Sequence, residues 1–365
     1  MKILFIIPTL GSGGAERALL QLVNHYELDD EITVMSLFKE GNHIFKLNSN
    51  IRYKYVFSKM FRGNIYFFKI FNPSFLFKRI VKEKYDVIIS YLEGPTTRIV
   101  SGCSDGTRII NWIHTSPTEE NVILKSYRNR KEFLKCMSEY KDTVFVADSA
   151  RQRFFEVFPE LNEIQSRVVY NPINNIEIIK KAQEKLEIVL NSEEFTIVTV
   201  GRLSKVKGFE RLVNICIKLR KKINVHLYII GRGNEEIRLK KIIKEQNAES
   251  YITLLGFYEN PYPIIKQASL YVCSSYREGY STSVIEALIL GVPIVTTMCS
   301  GMEEILGSKN EYGIITKNTD ADLLDGIENI ITNPNLYKSY KVAAKERGKL
   351  FELSKNVESV RRLLQ

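Results

Sequence analysis

Glu278 and Glu286 are separated by seven residues, Gly-Tyr-Ser-Thr-Ser-Val-Ile. They bracket a short polar loop and the first turn of an apolar helix that continues through Ala287-Leu-Ile-Leu. Gly291 stops that helix, Pro293 forbids its continuation, and Ile294-Val295-Thr296 reads as a strand. The main-chain N–H groups of Tyr280, Ser281, Thr282 and Ser283 are then helix-start donors with no intrahelical acceptor. Donors of that kind suit a diphosphate, because the helix dipole adds to their pull. The two carboxylates flank them as acceptors for sugar hydroxyls. The pattern predicts a site for a nucleotide sugar.

A second segment, Gly201-Arg-Leu-Ser-Lys-Val-Lys-Gly208, follows an apparent strand and opens a helix. Arg202 and Lys207 could both reach one diphosphate, the first by a planar fork and the second as a point charge. Gly11-Ser-Gly-Gly14 follows the first strand and leads into a helix. Gly13 and Gly14 would let a ligand approach the main chain, although the loop is not a full dinucleotide fingerprint. Gly231, in Gly231-Arg-Gly233, is first a strand-to-helix turn and second a wall beside the base. His114 stands at the carboxyl end of a strand in Asn111-Trp-Ile-His-Thr-Ser-Pro117. Its position is what favours a functional role over a structural one. Asp320-Ala-Asp322 has the spacing of a metal-holding pair, but it opens a helix, where the dipole favours acidic groups. No metal site is expected.

The elements that must carry these residues alternate. Strands are expected over Lys2–Pro8, Ile32–Leu37, Val87–Tyr91, Arg108–Ile113, Thr143–Ala147 and Val168–Tyr170. Helices are expected over Ala15–Tyr26, Phe75–Glu83 and Ser149–Phe158, the last with Ser149 as N-cap. Asn171-Pro-Ile-Asn-Asn175 is turn chemistry. A charged helical stretch, Ile176–Leu190, and Asn191-Ser-Glu-Glu194 follow it and mark a domain boundary. The alternation then restarts, with strands at Thr196–Val200, Val225–Ile230, Ile252–Leu255, Leu270–Cys273 and Ile294–Thr297, and helices at Gly208–Lys221 and Asn234–Gln246. This is an α/β chain with two doubly wound parallel sheets. Two such halves facing each other would form a cleft at their strand ends, where ligands bind.

Composition limits the classes. The chain has 365 residues, 44% of them hydrophobic, enough for two cores. Five scattered cysteines without a Cys-x-x-Cys pair suggest neither zinc nor a disulfide framework, and fit a reducing cytoplasm. The apolar start is short and broken by Pro8, so it reads as a buried strand, not a leader. No apolar run is long enough to span a bilayer. The net charge of +10 is concentrated at 52–84, where basic residues interleave with Tyr and Phe. That mixture suits peripheral contact with an anionic membrane. No nucleic-acid-binding signature accompanies it.

Together these residues resemble the retaining glycosyltransferases of family 4, with the two-domain GT-B architecture. The glutamate pair, the Gly-Arg-Leu…Lys-Gly segment and the early Gly-Gly-Ala-Glu-Arg occur in the expected order. The resemblance implies an N-terminal acceptor-binding Rossmann-like domain over 1–172 and a C-terminal donor-binding one over 173–347. It implies a terminal helix, 348–365, returning to the first domain. Arg202 and Lys207 would neutralise the donor diphosphate, with main-chain groups near Tyr280, Ser281 and Thr282. Glu278 would bind the transferred sugar and Glu286 the ribose. Phe257 and Tyr258 fall where the base is walled off. His114 matches a histidine that meets the sugar, and Gly13 and Gly14 match a loop near diphosphate and acceptor. No cofactor or metal is implied. The substrates would be a nucleotide-diphosphate sugar, with UDP preferred, and a lipid-linked or oligosaccharide acceptor in bacterial capsule, exopolysaccharide or O-antigen synthesis. The loop Gly279-Tyr-Ser-Thr-Ser283 is more polar than the family's usual version.

Two other readings fit the same residues. A nucleotide-sugar epimerase can share the architecture but needs acid/base groups around the sugar ring, and only His114 and Glu278 are candidates. A non-catalytic saccharide-binding subunit would be free to lose the diphosphate-binding residues. Arg202, Lys207, Glu278 and Glu286 are all present.

Overall fold

The computed structural model describes residues 1–11, 13–26, 30–117, 120–185, 188–191 and 193–364, with only the backbone of Asn42 and Val122. Ser12 of the first glycine loop, positions 186 and 187 of the expected boundary helix, Ser192 and Gln365 lie outside the described residues. The chain divides into an N-terminal unit, Met1–Ile173 joined by the segment from Ser354 onward, and a C-terminal unit, Asn174–Leu353.

The N-terminal unit contains β1 (Lys2–Ile7), β2 (Glu31–Phe38), β3 (Arg52–Phe57), β4 (Val87–Ser90), β5 (Arg108–Ile113), β6 (Asp142–Phe145) and β7 (Ser166–Val168). They form one sheet in the order β3-β2-β1-β4-β5-β6-β7. Every pairing is parallel. The chain winds outward from β1 to β3, then returns to lay β4 on the other side of β1. That reversal leaves a crevice at the carboxyl ends of β1 and β4. The central strands are apolar on both faces because helices cover both: Ile3 to Ile7 and Val87 to Ser90 are all buried.

The C-terminal unit repeats the plan with β8 (Phe195–Val200), β9 (Val225–Ile230), β10 (Ile252–Gly256), β11 (Leu270–Cys273), β12 (Ile294–Thr297) and β13 (Ile314–Thr316). The order is β10-β9-β8-β11-β12-β13, again parallel throughout. The reversal here falls between β8 and β11. One apolar core, including Ile197, Leu227, Val272, Leu212 and Ile327, joins strands to helices. The fold class expected from the sequence is the one observed.

Several local expectations are corrected. Residues 52–57, expected as a basic surface stretch, form the edge strand β3. The helix expected at Phe75 begins at Pro73 and ends at Ile80, because Asn72 accepts from Phe75 N at 2.7 Å and Pro73 fits the first helical position. Ser149 is not an N-cap: its helix is Asp148–Val157, and Ala147 holds the cap position with no side-chain bond. The boundary helix is only Asn175–Lys181, capped by Asn174 accepting from Glu177 N at 3.0 Å. The terminal helix starts at Leu353, not Gly348, because Gly348 closes the preceding helix Pro334–Gly348. Val357, Val360, Leu363 and Leu364 of that terminal helix are buried in the N-terminal unit. There Arg108 donates to Leu363 O at 2.7 Å and Leu364 O at 3.1 Å. Among the described residues no helix is long and apolar enough to cross a membrane.

Candidate functional site

In the C-terminal unit the loops after β8 and β11 meet at the sheet's reversal. Lys207 ends a short turn, Lys205–Lys207, after β8. Glu278 lies five residues beyond Cys273, the end of β11. Lys207 Nζ stands 2.7 Å from Glu278 Oε1 and 3.0 Å from Oε2. Two further bonds fasten the loops: Ser274 Oγ donates to Lys207 O at 3.0 Å, and Tyr276 N to Val206 O at 2.8 Å. Gly208 makes the approach possible. Its φ is +64°, and a Cβ there would overlap the Ser274 carbonyl oxygen. Burial opposes the ammonium charge of Lys207, but the Glu278 carboxylate outweighs it and holds the pKa above the ordinary lysine value. Lys207 is therefore a cation throughout the neutral range.

Residues of the same loop and of the two loops after β12 and β13 fix Glu278. Ser275 Oγ donates to Glu278 Oε1 at 2.5 Å. The Ser275 carbonyl accepts from Thr297 Oγ1 at 2.5 Å and Cys299 Sγ at 3.3 Å. Asn318, past β13, donates to Tyr276 O at 3.0 Å and Met298 O at 3.2 Å. Behind it the buried Arg211 donates to Asn318 Oδ1 at 2.7 Å, and its guanidinium lies 3.5 Å from the Tyr276 ring centroid. Asp320 sits 3.2 Å from Arg211 Nε. Thr319 caps the helix Asp320–Thr332 by accepting from Asp322 N at 3.1 Å. Among the described residues no cluster of three His, Cys, Asp or Glu is placed to hold a metal ion.

Glu278 leads through Gly279 and Tyr280 to the helix Thr282–Ile289, whose N-cap is Ser281. The Ser281 side chain bonds Ser283 Oγ at 3.3 Å and caps no main-chain N–H. Among the described residues no side chain caps the first turn of this helix. Glu286 is buried on this helix, and Tyr262 donates its hydroxyl to Oε1 at 3.3 Å. Arg202 is exposed at the carboxyl end of β8, and its charge is felt at Lys207. Gly231 has a packing reason of its own: its φ is +147°, and a Cβ would overlap the Gly201 carbonyl. Phe257, exposed, and Tyr258, half-buried, follow β10 at the sheet's edge. Their strand is separated from β8 by β9.

In the N-terminal unit Gly13 caps the helix Gly14–Asn24 just beyond β1. His114 follows β5. Its ring lies 4.8 Å from the Tyr91 ring and 6.4 Å from the Trp112 ring. Its main-chain N–H donates to Glu93 Oε2 at 2.8 Å. Among the described residues neither ring nitrogen has a hydrogen-bond partner of good geometry, and burial, only partly offset by the Tyr91 main chain, drives the pKa down to about 3. The imidazole is neutral at any working pH, so it can bond a hydroxyl but cannot supply a positive charge.

Residues 180–347 match the family described as Glycosyl transferases group 1. That stretch, most of the C-terminal unit, belongs to the group 1 glycosyltransferases. A Campylobacter jejuni relative named N-acetylgalactosamine-N,N'-diacetylbacillosaminyl-diphospho-undecaprenol 4-alpha-N-acetylgalactosaminyltransferase is 27% identical, over 96% of either chain. An uncharacterized glycosyltransferase of Methanocaldococcus jannaschii is 25% identical, over 82% of this chain and 84% of its own. Among solved structures, Anabaena HepE in complex with UDP and glucose superposes with a TM-score of 0.80 at 17% identity, covering 100% of this chain and 99% of its own. Sucrose-phosphate synthase from Thermosynechococcus elongatus gives a TM-score of 0.79 at 16% identity, covering 100% and 98%. The fold of this glycosyltransferase is GT-B.

Sequence reasoning missed the residues that hold the glycosyltransferase site rather than form it. Ser274 and Ser275 stand directly before the Glu278 loop and carried a weak signal as a polar pair ending an apolar strand. Asn318 and Arg211 carried none, because they are remote in sequence and meet the loop only in the folded unit.

Proposed function

We propose that this glycosyltransferase moves a hexose-type sugar from a nucleotide-diphosphate donor to a saccharide acceptor with retention of configuration and without a metal. The reading is carried by one observation, Lys207 held on Glu278 at the sheet reversal, four residues before a helix start that no side chain caps. Arg202, Lys207 and the amides from Tyr280 to Thr282 take the diphosphate. Glu278 takes hydroxyls of the transferred sugar and Glu286 those of the ribose. Gly231, Phe257 and Tyr258 stand on the base side. Gly13, Gly14 and the neutral His114 keep the acceptor-side and sugar-contacting roles that the resemblance implies.

In the reaction the bond from the anomeric carbon to the diphosphate oxygen breaks, and its electron pair leaves with the diphosphate. The acceptor oxygen bonds the same face of the oxocarbenium-like sugar. Its proton passes to the leaving phosphate oxygen, so no protein nucleophile is used. Preorganised cations and amides stabilise the departing charge, and positioning supplies much of the remainder.

UDP is the favoured nucleotide, on the likeness to HepE. A lipid-linked acceptor is favoured by the diphospho-undecaprenol in the name of the Campylobacter relative. The setting would be the cytoplasmic face of a bacterial membrane, in capsule, exopolysaccharide or O-antigen assembly.

A panel of nucleotide sugars screened by thermal shift tests the donor, since a bound ligand raises stability by mass action. One UDP-sugar should stabilise the protein, with chelator present or absent. The anomeric coupling constant of the transferred sugar should report retention. If every nucleotide sugar leaves the melting curve unchanged, the reading fails.

A further inference from the structure

Residues 41–82 hold nine Lys and Arg and not one Asp or Glu. Within this stretch lies the short helix Asn64–Ile70. Seven residues are too few to hold a helix by themselves, so its order comes from outside. Phe68 is buried below it, and Phe67 packs on Phe57, Phe61 and Phe71 at 5.9, 5.6 and 5.5 Å between centroids.

Its carboxyl end is gripped by two arginines. The fully buried Arg98 donates to Phe68 O at 2.5 Å and Phe71 O at 2.8 Å. Arg128 donates to Lys69 O at 2.7 Å and Ile70 O at 2.6 Å. Glu132 ties the two together, 2.6 Å from Arg98 Nη2 and accepting from Arg128 N at 2.7 Å. Four terminal carbonyls that would otherwise need water are thereby satisfied within the protein.

What this rigid mount displays is apolar. Tyr66 is 73% exposed and Ile70 68%, one turn apart on the same face. Ile65 at 40% and Met60 at 47% adjoin them in sequence. Lys59 and Arg62 are exposed beside them, and Lys69 Nζ lies 5.8 Å from the Tyr66 ring centroid. Arg52 and Lys54 are already engaged by Glu83, so the cations of this helix are distinct from that ion-paired edge.

We infer that this face docks on an anionic lipid bilayer, with Tyr66, Ile70, Ile65 and Met60 entering the headgroup–acyl boundary and Lys59, Arg62 and Lys69 meeting anionic headgroups. Charge selects the occupant: Lys59, Arg62 and Lys69 around the apolar tip outnumber the one carboxylate beside it, Glu40, which accepts from Met60 N at 2.9 Å, so the face matches a negatively charged surface, whereas a second copy would bring the same cations against it. The inference extends the proposed lipid-linked acceptor, because such a substrate is presented at this kind of surface.

The test is co-sedimentation of the whole protein with vesicles of mixed phosphatidylglycerol and phosphatidylcholine, and with phosphatidylcholine alone. Binding should favour the anionic vesicles by about tenfold and weaken at high salt. The double variant Tyr66→Ser, Ile70→Ser and the triple variant Lys59→Gln, Arg62→Gln, Lys69→Gln should each lose about tenfold in affinity. Their melting curves and transfer to a short-chain, water-soluble acceptor should stay those of the parent. Equal binding of variants and parent, or no binding by the parent, overturns the inference. So does concentration-dependent self-association that the double variant abolishes, which would make a second copy the occupant. Because soluble-acceptor transfer is read separately, loss of vesicle binding and loss of the transferase reading remain distinguishable.

Discussion

A lysine salt-bridged to a carboxylate is usually a modest contributor to stability. At the end of β8 it does something else: the pair puts a permanent cation and an acceptor within one hydrogen bond of each other, beside a helix start. Lys207→Ala removes the cation and leaves the Glu278 carboxylate with Ser275 and the more distant Cys273 thiol, and it should lower kcat/KM by at least about a hundredfold. The protein should remain folded, as circular dichroism would verify; normal transfer by this variant would remove the assigned role. Ser275→Ala removes one of the bonds to Glu278 Oε1 without touching the charge. A charge-assisted bond of this kind predicts a loss of about tenfold in kcat/KM, with Ser275→Thr recovering part of it. His114 makes a prediction in pH. Its folded pKa is about 3, whereas an unfolded histidine takes its proton near 6.5. The unfolded chain thus binds more protons between these values. The associated stability is complete above about 6.5 and drains away as pH falls toward 3. Between pH 7 and pH 5 the loss is about 2 kcal/mol. Denaturant titrations at the two pH values should find that difference smaller by about this amount in His114→Phe, which keeps the ring stack and removes the titration. Glu278 and Lys207 stood out in the sequence because each lies in a polar loop directly before a glycine, and His114 because it ends an apolar run, where a titratable group has no packing reason to be. Ser275 and Asn318 were not, since serine and asparagine in loops are the ordinary case.

At the level of elements, the strands that matter most were also the easiest to read. β1, β8, β9, β11 and β12 are short apolar runs bounded by glycine, proline or polar residues, and burial on both faces leaves no alternative pattern. The edge strand β3 was missed for the complementary reason. Arg52-Tyr-Lys-Tyr-Val-Phe57 is partly exposed, and its cations disguise the alternation. The helices Asn64–Ile70 and Pro95–Val100 are too short to show a period, and partners from elsewhere hold them, such as Arg98 and Arg128 on the first. Between β8 and its helix, one conformational requirement is visible: Gly208 must be left-handed and must lie against Ser274. Gly208→Ala should cost about 1–2 kcal/mol from backbone strain alone. The contact with the Ser274 carbonyl adds to it, and the loop must retreat from Glu278. Both a lower melting temperature and weaker donor-induced stabilisation are expected. A variant that melted lower yet bound donor normally would show that the loop's approach is not needed for the site.

Over the whole molecule the chain's last element belongs to its first unit. The helix Leu353–Leu364 contributes Val357, Val360, Leu363 and Leu364 to the N-terminal unit's interior, and its final carbonyls are the partners of Arg108. Arg361 adds a contact 5.9 Å from the Tyr26 ring centroid, and Asn356 donates to Asn171 O at 3.0 Å. Each fully buried aliphatic side chain of this size is worth about 1.5–3 kcal/mol. Four of them rival the entire stability of a typical domain, about 5–15 kcal/mol. Deleting residues 354–365 should therefore leave the N-terminal unit unable to hold its fold. Asn174–Leu353 keeps its own sheet and core. Calorimetry of the truncated chain should lose one transition and retain the other, and limited proteolysis should digest the first 173 residues while sparing the remainder. The retained transition should still rise on adding the UDP-sugar that stabilises the full chain, because Arg202, Lys207, Glu278 and Glu286 all remain. Sugar transfer should be absent. If the truncated protein instead kept both transitions, the terminal helix would be an ornament on a unit that is complete without it; if it lost both, the C-terminal unit would depend on its neighbour for its fold.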